Sequence, residues 1–374
     1  MSGVGHVYLH LPFCAHRCAY CDFVTAVGRP DQHGAYVDAL LAELELERGV
    51  LAPRLETIFL GGGTPTFTEP AALERLLAAL PDADEVSVEA NPETVTPALA
   101  RLLSRNRVSR VSVGAQSFQP RLLSVLERRA QPEDVRRAVY VLRDAGFDNI
   151  SLDLVYGIPG QSAADLDSDL AEALALEPEH VSCYELEAKP GTRFTHAHGA
   201  ELERRAESME SYFERVVAAL TGAGHRWYET ANFCREPARA GGRDLRAKHN
   251  LAYWLGRDYL GLGIGAVSTV DGVRRRNAPR LRPYLEALAC GREPRREVEP
   301  LDRDIRNRER VMLGLRLDEP LPLAGLERAL DREAVARLEQ LGLAVRAGAN
   351  GYETLTLTDR GRFLGGGVTA DLLA

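Results

Sequence analysis

Cys14, Cys18 and Cys21 stand in a C-x3-C-x2-C arrangement, with Tyr20 immediately before the last thiol. Three thiolates can bind three irons of a [4Fe–4S] cubane and leave the fourth iron without a protein ligand. An open corner on a redox cluster is where a small molecule can chelate through an amino and a carboxylate group, as S-adenosylmethionine (SAM) can. One electron from the reduced cluster would then cleave the sulfonium to methionine and a 5′-deoxyadenosyl radical, with Tyr20 packed beside the adenine. The same spacing admits a second reading. Zinc in a closed site wants four ligands, and His10 or His16 could supply the fourth; three buried structural thiols are the third case. Cys183 falls in a strand-like run and reads as core, whereas Cys234 and Cys290 have no partner pattern and read as free thiols.

Other residues offer what a zwitterionic nucleoside needs. Gly61, Gly62 and Gly63 precede Thr64 and Pro65, and consecutive glycines let backbone N–H and C=O groups come close to a ligand. An ordinary strand-to-helix turn is the alternative. Glu89, Gln116, Arg128 and Asp153 add an acceptor for an ammonium, a donor for a carboxylate and polar partners for ribose hydroxyls. Taken singly, each fits a structural salt bridge or cap equally well.

Position unites them. Up to about residue 190, short β-branched runs alternate with amphipathic stretches at a period of roughly thirty residues, the pattern of repeated βα units. The runs are Val7 to Leu11, Thr57 to Leu60, Glu85 to Glu89, Arg110 to Gly114, Asn149 to Leu154 and His180 to Leu186. Helix-like segments lie between them at Tyr36 to Glu47, Pro70 to Leu80, Pro97 to Arg105, Glu133 to Ala145 and Ala163 to Leu176. This predicts an α/β fold, a partial (β/α)6 TIM-like barrel with its chemistry at the C-terminal ends of the strands. Each candidate group follows one of the runs, as that geometry requires.

Beyond the repeats, the Pro/Gly/Arg-rich stretch Cys234 to Asp244 reads as a linker and the arginine-dense stretch Arg274 to Arg310 as a solvated face. A helical pattern from Leu321 to Leu330, another from Glu333 to Leu341 and the alternation Tyr352 to Leu357 predict a small C-terminal α+β unit, winged-helix-like. The 374 residues, 45% of them hydrophobic, suffice for a large core plus an accessory domain. A net charge of −8 argues against a sequence-independent grip on nucleic acid. With no signal-like N-terminus and no long apolar run, a cytoplasmic location is expected, without an integral membrane segment. Six cysteines, three of them within eight residues, favour metal over disulfides.

The motifs Tyr8-Leu-His-Leu-Pro-Phe-Cys14, Gly61-Gly-Gly-Thr-Pro65, Glu89-Ala-Asn-Pro92, Gly114-Ala-Gln-Ser-Phe118 and Leu152-Asp-Leu-Val-Tyr-Gly-Ile-Pro159 together resemble the oxygen-independent coproporphyrinogen III oxidase-like radical SAM family. The likeness runs through almost the whole chain and is strongest to the haem chaperone branch. The resemblance implies a radical SAM core, a [4Fe–4S] cluster, SAM and haem. It places Tyr8, Gly62, Gly63, Thr64, Glu89, Gln116, Arg128 and Asp153 among the SAM contacts, with Arg129 as the neighbour that a one-residue slip would exchange for Arg128. Oxidases of the family carry a fourth cysteine two residues after the third, where this chain has Phe23, and a long segment before the cluster, where only thirteen residues precede Cys14. His249-Asn-Leu-Ala-Tyr-Trp254 matches the H-N-x-x-Y-W signature of the chaperone branch. Its imidazole could be an axial haem ligand with Tyr253 and Trp254 on the macrocycle, or His249 could be a hydrogen-bonded helix-start residue with both aromatics in the core.

The expected domains are a radical SAM core over 1–232, a linker and haem-site segment over 233–300, and the winged-helix-like domain over 301–374. The resemblance implies a haem chaperone that delivers haem to acceptor proteins, with an electron donor for the cluster and any membrane docking made through a partner. Two other functions remain open: the oxidase itself, and a radical SAM enzyme acting on RNA that would use Arg274 to Arg310 as its grip, although acidic residues interrupt that stretch.

Overall fold

A computed structural model describes residues 3–187, 189–348 and 353–373, side chains 203–207 aside. All six expected strands are present: β1 (His6–Leu11), β2 (Leu55–Gly62), β3 (Ala83–Ala90), β4 (Arg110–Gln116), β5 (Ile150–Tyr156) and β6 (His180–Glu185). They pair in parallel in chain order. The crossovers are helices α1 (His33–Leu46), α2 (Pro70–Ala79), α3 (Pro97–Arg105), α4 (Pro132–Asp144) and α5 (Ala163–Ala175). Four of the five, α2 to α5, open as caps and first-turn chemistry require. Pro70, Pro97 and Pro132 stand in first turns, and Glu69, Thr96 and Ser162 accept N–H groups there.

The sheet continues past the repeats. After the long helix α6 (Arg193–Gly222), strands β7 (His225–Glu229) and β8 (Asn232–Arg235) extend the β6 edge in antiparallel fashion. Helix α7 (Lys248–Trp254) follows, and β9 (Leu260–Leu262) then pairs in parallel with β1. The sheet order is β9-β1-β2-β3-β4-β5-β6-β8-β7. The expected 232/233 boundary thus falls inside β8, and Cys234 and Arg235 belong to a strand rather than to a linker.

Side chains alternate across each strand. Val7, Leu9, Ile58, Leu60, Val86, Val88, Val111, Val113, Leu152 and Leu154 join the apolar core. Their neighbours on the other face include His6, Tyr8, Thr57, Glu85, Ser87, Glu89, Arg110, Ser112, Ser151, Asp153, His180 and Ser182, so the barrel interior is polar from floor to mouth.

Arg274 to Arg310 passes through the three-stranded sheet Val267–Val270, Val273–Asn277 and Arg296–Pro300. Some of its arginines are committed to ion pairs: Arg274 with Glu299 and Glu309, Arg282 with Glu286, and the half-buried Arg296 with Glu43 and Glu47. The C-terminal unit has helices Arg303–Gly314 and Arg332–Gln340 on an antiparallel sheet of Leu321–Pro322, Ala344–Ala347 and Thr354–Leu357. The helix expected over Leu321 to Leu330 does not form; that stretch is a short strand followed by turns. Gly325 takes φ +81°, outside the right-handed helical region, and interrupts it there. Tyr352 lies outside the described residues. The unit docks on β7 through the Arg226–Asp318 and Arg316–Glu229 pairs and through the Arg362 guanidinium, 3.5 Å from the Trp227 ring centroid.

Candidate functional site

The loop after β1 carries the three cysteines to the C-terminal mouth of the barrel. Cys14 is buried; Cys18 and Cys21 are half-exposed, and all three are free thiols. They line one cavity of about 460 Å³ together with Tyr20, Gly62, Gly63, Thr64, Glu89, Gln116, Arg128 and Asp153. Five successive strand ends thus deliver candidate residues to a single space.

The glycine run is demanded by the loop above it. Gly62 takes φ +108°, and a Cβ there would stand 2.4 Å from the His10 ring; one on Gly63 would stand 2.6 Å from the Pro12 carbonyl. Glycine lets β2 end directly beneath the cysteine loop. Gly63 N–H and Thr64 N–H donate to the carbonyls of Leu11 and Phe13, which fixes that approach.

Glu89 Oε2 accepts the Gly62 N–H at 3.1 Å. Burial, with Asp153 nearby, pushes its carboxyl up to about 7. Asp153 is likewise raised by burial, and it accepts the Ser112 hydroxyl at 3.0 and 3.1 Å. Gln116 ends β4 in the left-handed region at φ +65°, at a break in the β4–β5 register. A non-glycine residue held there is strained, as residues at ligand sites often are. Arg128 Nη2 donates to the Gly114 carbonyl at 2.7 Å, and Nη1 donates to Asn91 Oδ1 at 3.1 Å and toward Cys18 Sγ at 3.7 Å. Arg128, and not Arg129, lines the cavity.

Tyr8 stands just outside, beside Gly61, with its hydroxyl donating to His10 Nδ1 at 3.0 Å. His10 Nε2 donates to the Val24 carbonyl at 2.8 Å, so both nitrogens of that imidazole are engaged. His16 does line the cavity, its Nε2 4.0 Å from Glu127. Among the described residues no three of His, Cys, Asp and Glu are gathered closely enough to hold one metal ion.

His249 is at the other end of the barrel. It is 1% exposed, with Nδ1 2.7 Å from the Thr57 hydroxyl and Nε2 2.9 Å from the Tyr253 hydroxyl. Its ring stacks on Phe59, and Glu85 accepts the N–H groups of Lys248 and His249. These partners sit at the starts of β2 and β3, so α7 closes the barrel floor. Of the two readings of this segment, the geometry is that of the hydrogen-bonded helix start. Trp254 packs under Arg316, 4.4 Å from its ring centroid.

Asn91, one residue beyond β3, belongs to the site and was not singled out by residue type. It is part of the Glu89-Ala-Asn-Pro92 motif, yet only the fold shows it between Thr64 and Arg128. Phe23, in place of the oxidases' fourth cysteine, lines the same cavity and is 61% exposed.

Comparison with known proteins agrees with this arrangement. The radical SAM superfamily model matches residues 8–173. The heme chaperone HemW of Mycobacterium tuberculosis (strain CDC 1551 / Oshkosh) is 37% identical over 382 residues, which cover 98% of this chain and 94% of that protein. HemW of Bacillus subtilis (strain 168) is 34% identical, over 83% of this chain and 82% of that one. The coproporphyrinogen III oxidase of Escherichia coli, a radical SAM enzyme, superposes with a TM-score of 0.81 at 22% identity, over 99% of this chain and 90% of that one, and so shares the fold. A polar partial barrel, three thiols at its mouth and kinship at this level lead to one assignment: the chain belongs to the radical SAM superfamily and, within it, to the HemW family.

Proposed function

We propose that this protein is a haem-binding chaperone that carries a [4Fe–4S] cluster on Cys14, Cys18 and Cys21, binds SAM in the adjoining cavity and hands haem to acceptor proteins. The observation that carries the reading is the convergence of three free thiols with Gly62, Gly63, Thr64, Glu89, Gln116, Arg128 and Asp153 on one cavity, in a chain 37% identical to a heme chaperone.

The residues suit those groups. Burial pushes the Cys14 thiol up to about 11, so its thiolate needs a cation beside it, as cluster iron would be. Engagement of both His10 nitrogens speaks against a closed zinc site completed by that ring. When bound, the cluster supplies one electron for cleavage of the SAM sulfonium. This chain's own residues bind and orient: Glu89 accepts from the SAM ammonium, Arg128 donates to its carboxylate, Asp153 and Gln116 serve the ribose, and Tyr20 packs on the adenine, with Tyr8 supporting Glu89 from behind Gly61.

Phe23 supports the chaperone over the oxidase, because the position supplies an apolar ring at the cavity rim in place of a thiol. His249 serves the barrel floor in this reading, since a metal would have to displace one of its two hydrogen bonds. Among the described residues no helix is long and apolar enough to cross a membrane. We place the protein in the cytoplasm, served there by an electron donor, with any membrane docking made through a partner.

Anaerobic reconstitution with iron and sulfide, followed by haem titration and incubation with coproporphyrinogen III, tests the proposal. Cluster formation and haem uptake without conversion are expected. Turnover to protoporphyrinogen would install the oxidase instead.

A further inference from the structure

Three side chains link two of the three cluster thiols through a single hydrogen-bonded chain. Thr64 Oγ1 donates to Cys14 Sγ at 3.5 Å, Asn91 Nδ2 donates to Thr64 Oγ1 at 3.1 Å, and Arg128 Nη1 lies 3.1 Å from Asn91 Oδ1 and 3.7 Å from Cys18 Sγ. Its direction follows from chemistry. A guanidinium cannot accept, so Asn91 must turn its carbonyl oxygen to Arg128 and its amide hydrogens to Thr64. Thr64 Oγ1, used as an acceptor by Asn91, is left to direct its own hydrogen at Cys14.

Each link also ties one strand end to the next. Thr64 follows β2, Asn91 follows β3, and Arg128 holds the end of β4 through the Gly114 carbonyl at 2.7 Å. Thr64 is 3% exposed, while Asn91 and Arg128 are half-buried in the cavity wall beside the thiols.

We propose that Asn91 is a positioning residue that aims the Thr64 hydroxyl and the Arg128 guanidinium at the Cys14 and Cys18 thiolates, and that these two donors raise the reduction potential of the cluster. The inference rests on the cluster assignment above. Donors to cluster sulfur withdraw electron density and favour the more negative, reduced state, so losing one lowers the potential.

The test is the midpoint potential of the reconstituted protein, titrated with dithionite as the one-electron donor, read by electron paramagnetic resonance and measured without SAM. Thr64→Val, which keeps the shape and deletes the donor, is expected to titrate lower than wild type, and Thr64→Ser at the wild-type value. Asn91→Leu, which orients neither donor, is expected to fall as well. Iron and sulfide analysis accompanies each titration. Fully loaded Thr64→Val and Asn91→Leu proteins at the wild-type potential would overturn the inference and leave the cluster standing. A wild-type protein that takes up no cluster would remove both. Should Thr64→Val not load, Arg128→Gln reads the Cys18 arm independently, and an unmoved potential there is equally fatal.

Discussion

The imidazole of His249 and the hydroxyl of Thr57 lie 2.7 Å apart across 192 residues of sequence. The same hydroxyl meets Nδ1 of His6 at 3.0 Å. With Tyr253 on the far nitrogen of His249, these four side chains form a buried knot that joins α7 to the starts of β1 and β2. Polar groups buried this way are costly to strand, so the knot holds only while every member keeps its partner.

Removing one member should therefore be felt as stability. In His249→Ala, the Thr57 and Tyr253 hydroxyls lose a buried partner and a cavity opens between them, and we expect a loss of about 2–4 kcal/mol in urea unfolding. Haem affinity of the folded fraction should be unchanged. A large loss of haem binding at full folding would make His249 a ligand after all.

Acid should loosen the same floor. Burial holds His249 down to about 3, against 6.5 for a free imidazole. The folded state thus keeps it neutral while the unfolded chain takes up a proton. Its contribution is fully present above pH 6.5 and is lost as pH falls toward 3, at up to about 1.4 kcal/mol per pH unit. Burial also lowers His6, His10 and His180, so the effects add. Unfolding free energies measured from pH 7 to pH 5 should decline, and less steeply in His249→Gln by about one proton's worth.

How these features could be read from sequence differs by case. The six parallel strands were legible because one face of each is aliphatic and the next residue polar, a pattern that survives without knowledge of neighbours. Strand β9 was not, since Leu260-Gly-Leu262 is three residues long and becomes a strand only by pairing with β1. Leu321 to Leu330 has leucines at helical spacing, yet Gly325 in the left-handed region decides its backbone. In the site, charged residues at strand ends could be named from type and period. His249 could not be placed, because type says nothing about which end of a barrel a residue reaches after two antiparallel strands. Asn91 was hidden for another reason: its contribution is to aim Thr64 and Arg128, and only coordinates show that.

SAM binding should depend on pH through Glu89. Its carboxyl is raised to about 7 by burial and by Asp153, and only its ionised form can accept two donors, the Gly62 N–H and a ligand ammonium, without presenting a proton of its own. Affinity measured by calorimetry on the reconstituted protein should rise as pH climbs through about 7 and flatten above it. Glu89→Gln should bind more weakly at high pH and lose that rise. A wild-type affinity that does not vary between pH 6 and 8 would detach Glu89 from the ligand.

Arg110 offers a way to separate that electrostatic effect from folding. It is 2% exposed, on the same face of β4 as Ser112 and two residues below it, and its side-chain hydrogen bond is to a neutral partner, His180 Nδ1 at 3.3 Å. Nε has no partner, and no carboxylate forms an ion pair with it among the described residues. Such a cation adds little to stability, since its desolvation is not repaid by contact. Its charge nevertheless reaches the site: beneath the larger effect of burial, it pulls both Glu89 and Asp153 downward. Arg110→Met keeps the length and removes the charge, so the fold should be as stable or more so, while the pH at which SAM affinity rises should move above about 7. At neutral pH the variant should therefore bind SAM more weakly although it melts no earlier. If melting temperature and affinity fall together, Arg110 is a structural strut and the long-range charge effect is absent.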